Sequence, residues 1–343
     1  MKKMKKIFAG LTCGLLLFGN GCGAEQIRQV KSVDTAMGTV VQQTIYIAGK
    51  ESAPEQDIIA LVRDLEEREL SRRLETSEIW AINASVGSAE GVQVSPFMRD
   101  NLAKCLEMWR RSEGAFDVTM GRVVALWDID GWAGEERTGT FAPLEAERLA
   151  EALENSGSDK LSMEGDCLRL PEGIALDLGA VGKGIALDQI ATYLREKEYI
   201  AGAIISLGGS IVTYGRKPDG SSWNVGITDP ADTSSSVGTL ALEGQWFVST
   251  SGDYERYVEL DGIRYHHIID PATGYPADSG VAGVTILAGD GFLSDALSTA
   301  CFILGEEKGM ELAEAYGAEV LFVGKDGSVT MSEGMRQYFQ PAD

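Results

Sequence analysis

Two adjacent histidines are the first residues in this sequence that could do chemistry near neutral pH. His266 and His267 are the only histidines among 343 residues, and they open the segment HHIIDPATGYP. The imidazole proton exchanges near neutral pH, so histidine is a natural general base. Because neighbouring side chains on a strand point to opposite faces, at most one of the two is expected to enter a given site. In isolation, a surface or packing histidine is the simpler interpretation.

An acid and a hydroxyl share one face of a helix predicted from Asp295 to Leu304. Asp295 and Thr299 are four residues apart, and the residues around them are mostly apolar, which indicates a buried helix. One carboxylate, one hydroxyl and a backbone carbonyl suit a hard cation such as Mg²⁺. The alternative is structural, with Asp295 capping the helix and Thr299 bonding back to its own helix.

A glycine-rich turn, DLGAVGKG from Asp177 to Gly184, leads into a helix predicted from Ile185 to Lys197. Free N–H groups and the dipole at a helix start can hold an anion, and Lys183 adds a positive charge. The spacing is not that of a Walker loop, and no Ser or Thr follows the lysine. A purely structural turn is an equal alternative.

The segment GAFD, from Gly114 to Asp117, places an open backbone beside an aromatic ring and an acid. Such a segment could receive a flat heterocycle and hydrogen-bond its edge. A loop with a packed Phe116 is the alternative.

The elements that position these segments mix strands and helices without a strict βαβ rhythm. This mixture predicts the α+β class, with a single domain over residues 34–343. The expected helices cover 55–70, 96–111, 144–155, 185–197, 295–304 and 308–316, with a glycine-rich loop near 130–142. The expected strands cover 39–47, two short stretches within 160–170 and 174–178, and then 203–206, 211–214, 223–227, 246–251, 257–260, 265–269, 281–287 and 319–323.

Together these segments resemble the ApbE family, the FAD:protein FMN transferases. Nine matching motifs follow the family's order between about residues 35 and 325, which makes the resemblance specific. They are Met37-Gly38-Thr39; Ser77-Glu78-Ile79 with Asn83; Gly114-Ala115-Phe116-Asp117; Asp177-Leu178-Gly179 with Gly182-Lys183-Gly184; Leu207-Gly208-Gly209; Trp223 with Gly226-Ile227 and Asp229-Pro230; Thr250-Ser251-Gly252-Asp253-Tyr254; the His267 motif; and Asp295-Ala296 with Thr299.

The resemblance implies an ApbE-like mixed fold of two lobes with FAD, as substrate, in a groove between them. It implies that Mg²⁺ is held by Asp295, Thr299 and the Ala180 carbonyl, and that His267 is catalytic. The flavin contacts it implies are Met37, Ala115, Phe116, Asp117, Asp177, Lys183 and Ile269.

The implied reaction moves FMN from FAD onto a threonine or serine hydroxyl and releases AMP. Acceptors in the family carry a Ser/Thr-Gly-Ala-Thr-like motif and belong to membrane electron-transfer flavoproteins. Two other functions share the same residues: an FAD pyrophosphatase giving FMN and AMP, and a non-catalytic FAD-binding lipoprotein. The chain departs from the family at Arg72-Arg73-Leu74, where an aromatic residue often stands on one side of the flavin.

The N-terminus predicts export. Four lysines within residues 2–6 precede an apolar run, 7–18, that is too short to span a bilayer. We interpret residues 1–22 as a signal peptide with a lipoprotein site at Cys22, and 23–33 as a tether to the outer face of a bacterial membrane. A simple cleaved signal and an uncleaved anchor are the alternatives. Removing the four lysines takes the net charge from −22 to −26, which argues against a nucleic-acid partner.

Overall fold

The computed structural model describes residues 17–18, 26–134 and 136–342. Cys22 and most of the expected signal peptide lie outside this range. The strands are β1 Leu17–Phe18, β2 Ile27–Ala36, β3 Thr39–Ala48, β4 Val92–Gln93, β5 Ser162–Glu164, β6 Cys167–Arg169, β7 Ile200–Leu207, β8 Ser210–Gly215, β9 Trp223–Asp229, β10 Asp232–Leu242, β11 Trp246–Gly252, β12 Tyr257–Leu260, β13 Ile263–His266, β14 Val281–Ala288, β15 Glu319–Gly324, β16 Val329–Met331 and β17 Phe339–Pro341. The α-helices are α1 Glu55–Leu65, α2 Glu78–Ala84, α3 Pro96–Arg111, α4 Gly121–Trp127, α5 Ile129–Ala133, α6 Ala146–Glu154, α7 Gly182–Arg195, α8 Gly291–Leu304 and α9 Glu306–Ala315, with a π-helical turn at Glu66–Leu70.

A nine-stranded sheet organises the chain, in the order β1-β2-β3-β7-β8-β11-β14-β15-β16. Every neighbouring pair is antiparallel. All eight residues of β14 are buried, because this inner strand is covered on both faces. Helices α7 and α8 pack on one face. A three-stranded sheet, β17-β10-β9, meets the other face through Trp223, Leu240 and Leu242.

Helices α7 and α8 cross with their backbones in contact. A Cβ added at Gly184 would lie 2.2 Å from the Gly291 carbonyl oxygen, and a Cβ at Gly291 would lie 2.4 Å from the Gly184 oxygen. Only glycine permits such an approach from both helices. The crossing brings the start of α7 directly against the Asp295 face of α8.

The α+β class and many of the expected elements are confirmed. Helix α3 and strand β12 have the expected bounds, and β3 and α6 fall within a residue or two of theirs. The expected helix 55–70 is α1 continued by the π-helical turn. Within residues 26–134 and 136–342, no helix is both long and apolar enough to cross a membrane.

Several expectations were wrong. Residues 27–33 of the expected tether form most of β2, paired with β3. The expected strand 174–178 reduces to a single bridge between Ala175 and Met120. The expected loop 130–142 begins inside α5, and the strand expected at 265–269 ends at His266. Strand β10 was not expected, since its serine-rich first half has no apolar alternation.

Candidate active site

Asp295 is a buried carboxylate with partners from three other positions in the chain. It lies in the second turn of α8 and is only 3% exposed. Its Oδ2 accepts a hydrogen bond from the Gly184 N–H at 2.9 Å, and its Oδ1 accepts one from the Ser210 hydroxyl at 3.0 Å. The Lys183 ammonium lies 3.4 Å from Oδ1. A buried charge requires such partners, so the carboxylate ties α8 to the glycine-rich turn.

The capping alternative for Asp295 is wrong. Helix α8 begins at Gly291, and its N-cap is Asp290, whose carboxylate accepts from the Leu293 N–H at 2.8 Å. The sequence places an aspartate at both positions, and the apolar run alone could not show which one starts the helix.

The three oxygen donors expected for a metal have different surroundings. Thr299 is half-buried on the Asp295 face of α8, and its hydroxyl bonds to none of the described residues. The Ala180 carbonyl likewise accepts no hydrogen bond from the part of the chain that the structure describes. Ser298 is already engaged, because its hydroxyl donates to the Asp295 carbonyl and contacts Ser251, each at 2.8 Å.

All three expected donors are oxygen atoms, which is the type of ligand that Mg²⁺ prefers. Across the described residues no group of three His, Cys, Asp or Glu side chains could hold a metal. The ligands expected here are one carboxylate and two neutral oxygens. Mg²⁺ is commonly held in that way, because it keeps several of its waters and takes oxygens from a substrate phosphate. The Lys183 ammonium lies 3.4 Å from Oδ1 of Asp295. A metal ion bound to that oxygen would therefore compete with Lys183 for it.

Met37 and the glycine-rich turn lie together. Met37 sits in the β2–β3 turn with φ of 51°, and its N–H donates to the Glu66 carboxylate at 2.7 Å. A Cβ at Gly182 would lie 3.2 Å from the Met37 methyl carbon. The π-helical turn that carries Glu66 therefore holds the β2–β3 hairpin against the start of α7.

Asp177, an expected flavin contact, is paired with an arginine. Its Oδ2 accepts from the Arg72 Nε at 2.7 Å, and its Oδ1 accepts from the Gly179 N–H at 2.8 Å. Arg72 belongs to the segment in which the family often carries an aromatic residue. A ligand that bonds Asp177 would therefore meet the Arg72 guanidinium beside it.

The GAFD segment offers backbone rather than side chains. Phe116 is 1% exposed and packs in the main core, as the packed-loop alternative expected. The Asp117 carboxylate accepts from the Thr119 and Ser158 hydroxyls at 2.6 and 2.7 Å. Ala115 is also buried. The expected flavin contacts of these residues stay predictions.

The two histidines face different surroundings, as expected. His266 is 3% exposed; its Nε2 lies 3.0 Å from the Ala277 carbonyl, and its ring stands edge-on to Phe302. His267 follows the end of β13 and is half-buried, with its Nδ1 3.3 Å from the Arg256 carbonyl. Burial lowers the pKa of His267 well below its usual value, and the nearby Arg256 and Lys183 charges lower it further.

The His267 segment is fixed by the turn that follows it. Ile269 is buried and bridges to Pro276. The Asp270 carboxylate accepts from the Ala272 N–H at 2.9 Å and closes the turn. The Trp127 indole donates to the Gly274 carbonyl at 2.7 Å and anchors the turn to α4.

The family model for the ApbE family matches residues 37–322. This chain belongs to the ApbE family. It is 33% identical to the FAD:protein FMN transferase of Treponema pallidum, over 95% of this chain and 92% of that one. It is 31% identical to the FAD:protein FMN transferase of Vibrio cholerae, over 98% and 97% of the two chains.

Solved structures of ApbE proteins share the fold. The crystal structure of the Thermotoga maritima ApbE protein matches with a TM-score of 0.80 and 31% identity, over 90% of this chain and 99% of that one. The flavin transferase ApbE of Vibrio cholerae matches with a TM-score of 0.79 and 30% identity, over 91% and 99%.

Three residues of this ApbE-family chain join the site without having been expected there. Ser210 reaches Asp295, Glu66 holds Met37, and Arg256 lies beside His267. Each pair is far apart in sequence or meets through a backbone atom, so spacing alone carried no signal for them.

Proposed function

We propose that this chain is an FAD:protein FMN transferase that uses Mg²⁺ and moves FMN from FAD onto a threonine or serine hydroxyl of an acceptor flavoprotein, releasing AMP. One observation carries the proposal. In a chain of the ApbE family, one buried carboxylate, Asp295, meets the N-terminus of α7 and Lys183 at the glycine-rich turn.

The surroundings of Asp295 suit a pyrophosphate. The N-terminus of α7 presents N–H groups and a partial positive charge, and Lys183 adds a full one. Asp295, Thr299 and the Ala180 carbonyl would hold Mg²⁺, which would neutralise phosphate charge as the phosphorus–oxygen bond breaks. In a chain of net charge −22, such local positive charge is needed to admit an anionic substrate.

The reaction is a displacement at phosphorus. The acceptor hydroxyl oxygen forms a bond to the phosphorus on the riboflavin side of FAD, and the bond from that phosphorus to the AMP phosphate oxygen breaks. AMP leaves with the bonding electron pair, and FMN stays on the acceptor as a phosphoester. His267, neutral because its pKa is lowered, takes the proton of the attacking hydroxyl.

The proposed partner is the acceptor domain of a membrane electron-transfer flavoprotein with a Ser/Thr-Gly-Ala-Thr-like motif. We place the enzyme outside the cytoplasm, anchored to the bacterial membrane through a lipid on Cys22. The lysine-rich start, the short apolar run and Cys22 support this placement.

The test mixes the purified protein with FAD, Mg²⁺ and an acceptor domain bearing the threonine motif. Intact mass of the acceptor is expected to rise by FMN less one water. The gain should disappear with EDTA, return with added Mg²⁺, and be lost in His267→Ala. Glu333→Gln, at a 94%-exposed side chain, is the matched control and should transfer normally.

Two other outcomes would replace the proposal. Free FMN and AMP with an unmodified acceptor would make the protein a pyrophosphatase. FAD that stays bound and intact with several acceptors would make it a flavin carrier.

A further inference from the structure

A network of charged side chains joins three segments around His267. Asp130, in α5, accepts from Arg256 at 2.8 Å through Oδ1 and from Arg73 at 3.1 Å through Oδ2. Arg256 lies between β11 and β12, and Arg73 follows the π-helical turn. One carboxylate therefore fixes two arginines that are 183 residues apart in the sequence.

The Arg256 backbone faces His267 directly. Its carbonyl oxygen accepts from the His267 N–H at 3.1 Å and lies 3.3 Å from the His267 Nδ1. A carbonyl oxygen can only accept, so the ring nitrogen beside it must carry the proton. No hydrogen bond from the described residues reaches Nε2 of His267, which leaves that nitrogen with a free lone pair.

His266 shows the opposite arrangement. Its Nδ1 accepts from the Ile268 N–H at 3.3 Å, so its proton is on Nε2, which donates to the Ala277 carbonyl at 3.0 Å. The two adjacent rings are therefore expected to be opposite tautomers, and each is set by a backbone carbonyl.

We propose that Arg256 and Asp130 are positioning residues for the base: the Arg256 carbonyl holds the proton of His267 on Nδ1, and Asp130 fixes Arg256 in place. Nε2 is then the nitrogen that takes the proton of the acceptor hydroxyl. The mechanistic part of this inference rests on the proposed transfer reaction, whereas the tautomer does not.

The network can be broken without unfolding the protein. The side chains of Arg73, Asp130 and Arg256 are 56%, 32% and 44% exposed, and such exposed ion pairs contribute little to stability. Asp130→Asn should therefore remain folded. Asp128→Asn is the matched control: it is two residues away, it pairs with Arg137 instead, and asparagine tolerates the left-handed conformation of that residue.

The experiment records long-range ¹H–¹⁵N correlations of the imidazole rings in the ¹⁵N-labelled protein, purified without a histidine tag. With two histidines in the chain, two ring patterns are expected, and His267→Ala assigns them. At pH 7.5 the wild type should show one Nε2–H and one Nδ1–H ring. In Asp130→Asn the His267 ring should become a mixture, while His266 stays unchanged.

The rates follow from the same idea. A positioned general base contributes about 10²–10⁴-fold. Because the part-exposed pairs of Asp130 are weak, Asp130→Asn should remove only part of this and lower kcat for FMN transfer about two- to fivefold. The KM for FAD should stay within about twofold, Asp130→Glu should recover part of the rate, and Asp128→Asn should match the wild type.

Two results would overturn the inference: an Nε2–H tautomer at His267 in the wild type, or an unchanged His267 ring and rate in Asp130→Asn. An Nδ1–H ring in a protein that transfers FMN to no acceptor would support the tautomer and refute the proposed function.

Discussion

Replacing Gly184 by alanine should disable the site by pushing two helices apart. The added Cβ would lie 2.2 Å from the Gly291 carbonyl oxygen and 2.7 Å from the Asp295 Cβ, whereas ordinary van der Waals contact begins at 3.4 Å. To restore 3.4 Å at the Gly291 oxygen, α7 and α8 must separate by about 1.2 Å. Both neighbouring atoms belong to the backbone or its first side-chain carbon, so neither can rotate away.

The separation should affect stability and activity to different extents. Overpacking of this kind costs about 1–3 kcal/mol, so the protein should fold with a lower free energy of unfolding. The Gly184 N–H to Asp295 bond is 2.9 Å long and would stretch beyond hydrogen-bonding distance. A misplacement of about 1 Å at a catalytic site can cost about 100-fold in rate.

The assay is FMN transfer to the acceptor, followed by intact mass, beside urea unfolding of the same preparation. Gly289→Ala is the matched control, since Gly289 lies two residues before α8 and a Cβ there meets nothing within 4 Å. Transfer by Gly184→Ala within about twofold of the wild type would refute the reasoning, because it would show that the helix crossing does not position Asp295.

Three further predictions concern charge. Asp295→Asn should lower FMN transfer at least about 100-fold and abolish its response to added Mg²⁺, and titration calorimetry should detect no Mg²⁺ binding. Transfer by the wild type should stay constant as the pH falls through 6.5, because the lowered pKa of His267 keeps the base neutral there; a kcat/KM profile that falls at or above 6.5 would contradict this. Burial and the neighbouring Glu78 raise the pKa of Glu69 to about 7, so stability should fall as the pH rises from about 4.5 to 7 and then level off. Glu69→Gln should remove that loss, about 1 kcal/mol after solvent screening, in urea unfolding at pH 5 and pH 8, whereas Glu67→Gln should not.

The elements with a clear apolar period were predictable from the sequence. Ser95 caps helix α3 and Pro96 stands at its first position, and the helix has the expected bounds. Strand β12 has the expected bounds as well. Such elements are determined by local features of the sequence, such as a cap or an apolar period, and do not depend on contacts with distant residues.

Elements held by distant contacts were not predictable. Strand β2 exists because it pairs along its whole length with β3, although its own residues include several charges. The first turn of α8 was not predicted, because a residue on another helix stabilises it. Asp188, on α7, accepts hydrogen bonds from the Gly291 and Phe292 N–H groups at 2.7 and 2.9 Å. That stabilisation comes from a residue more than 100 positions away.

The same distinction between local features and distant contacts applies to the candidate active site. The sequence showed the types of the candidate reacting groups: an acid on an apolar helix, a glycine-rich turn and a histidine. It did not show why so many of the turn's residues are glycine, since an anion site and a purely structural turn were equal alternatives. In the structure, Gly184 allows the close crossing of α7 and α8, and Gly182 leaves room for the Met37 methyl group. Any homologous exchange that enlarges Gly184 should therefore require a compensating change on α8, whatever ligand the site binds.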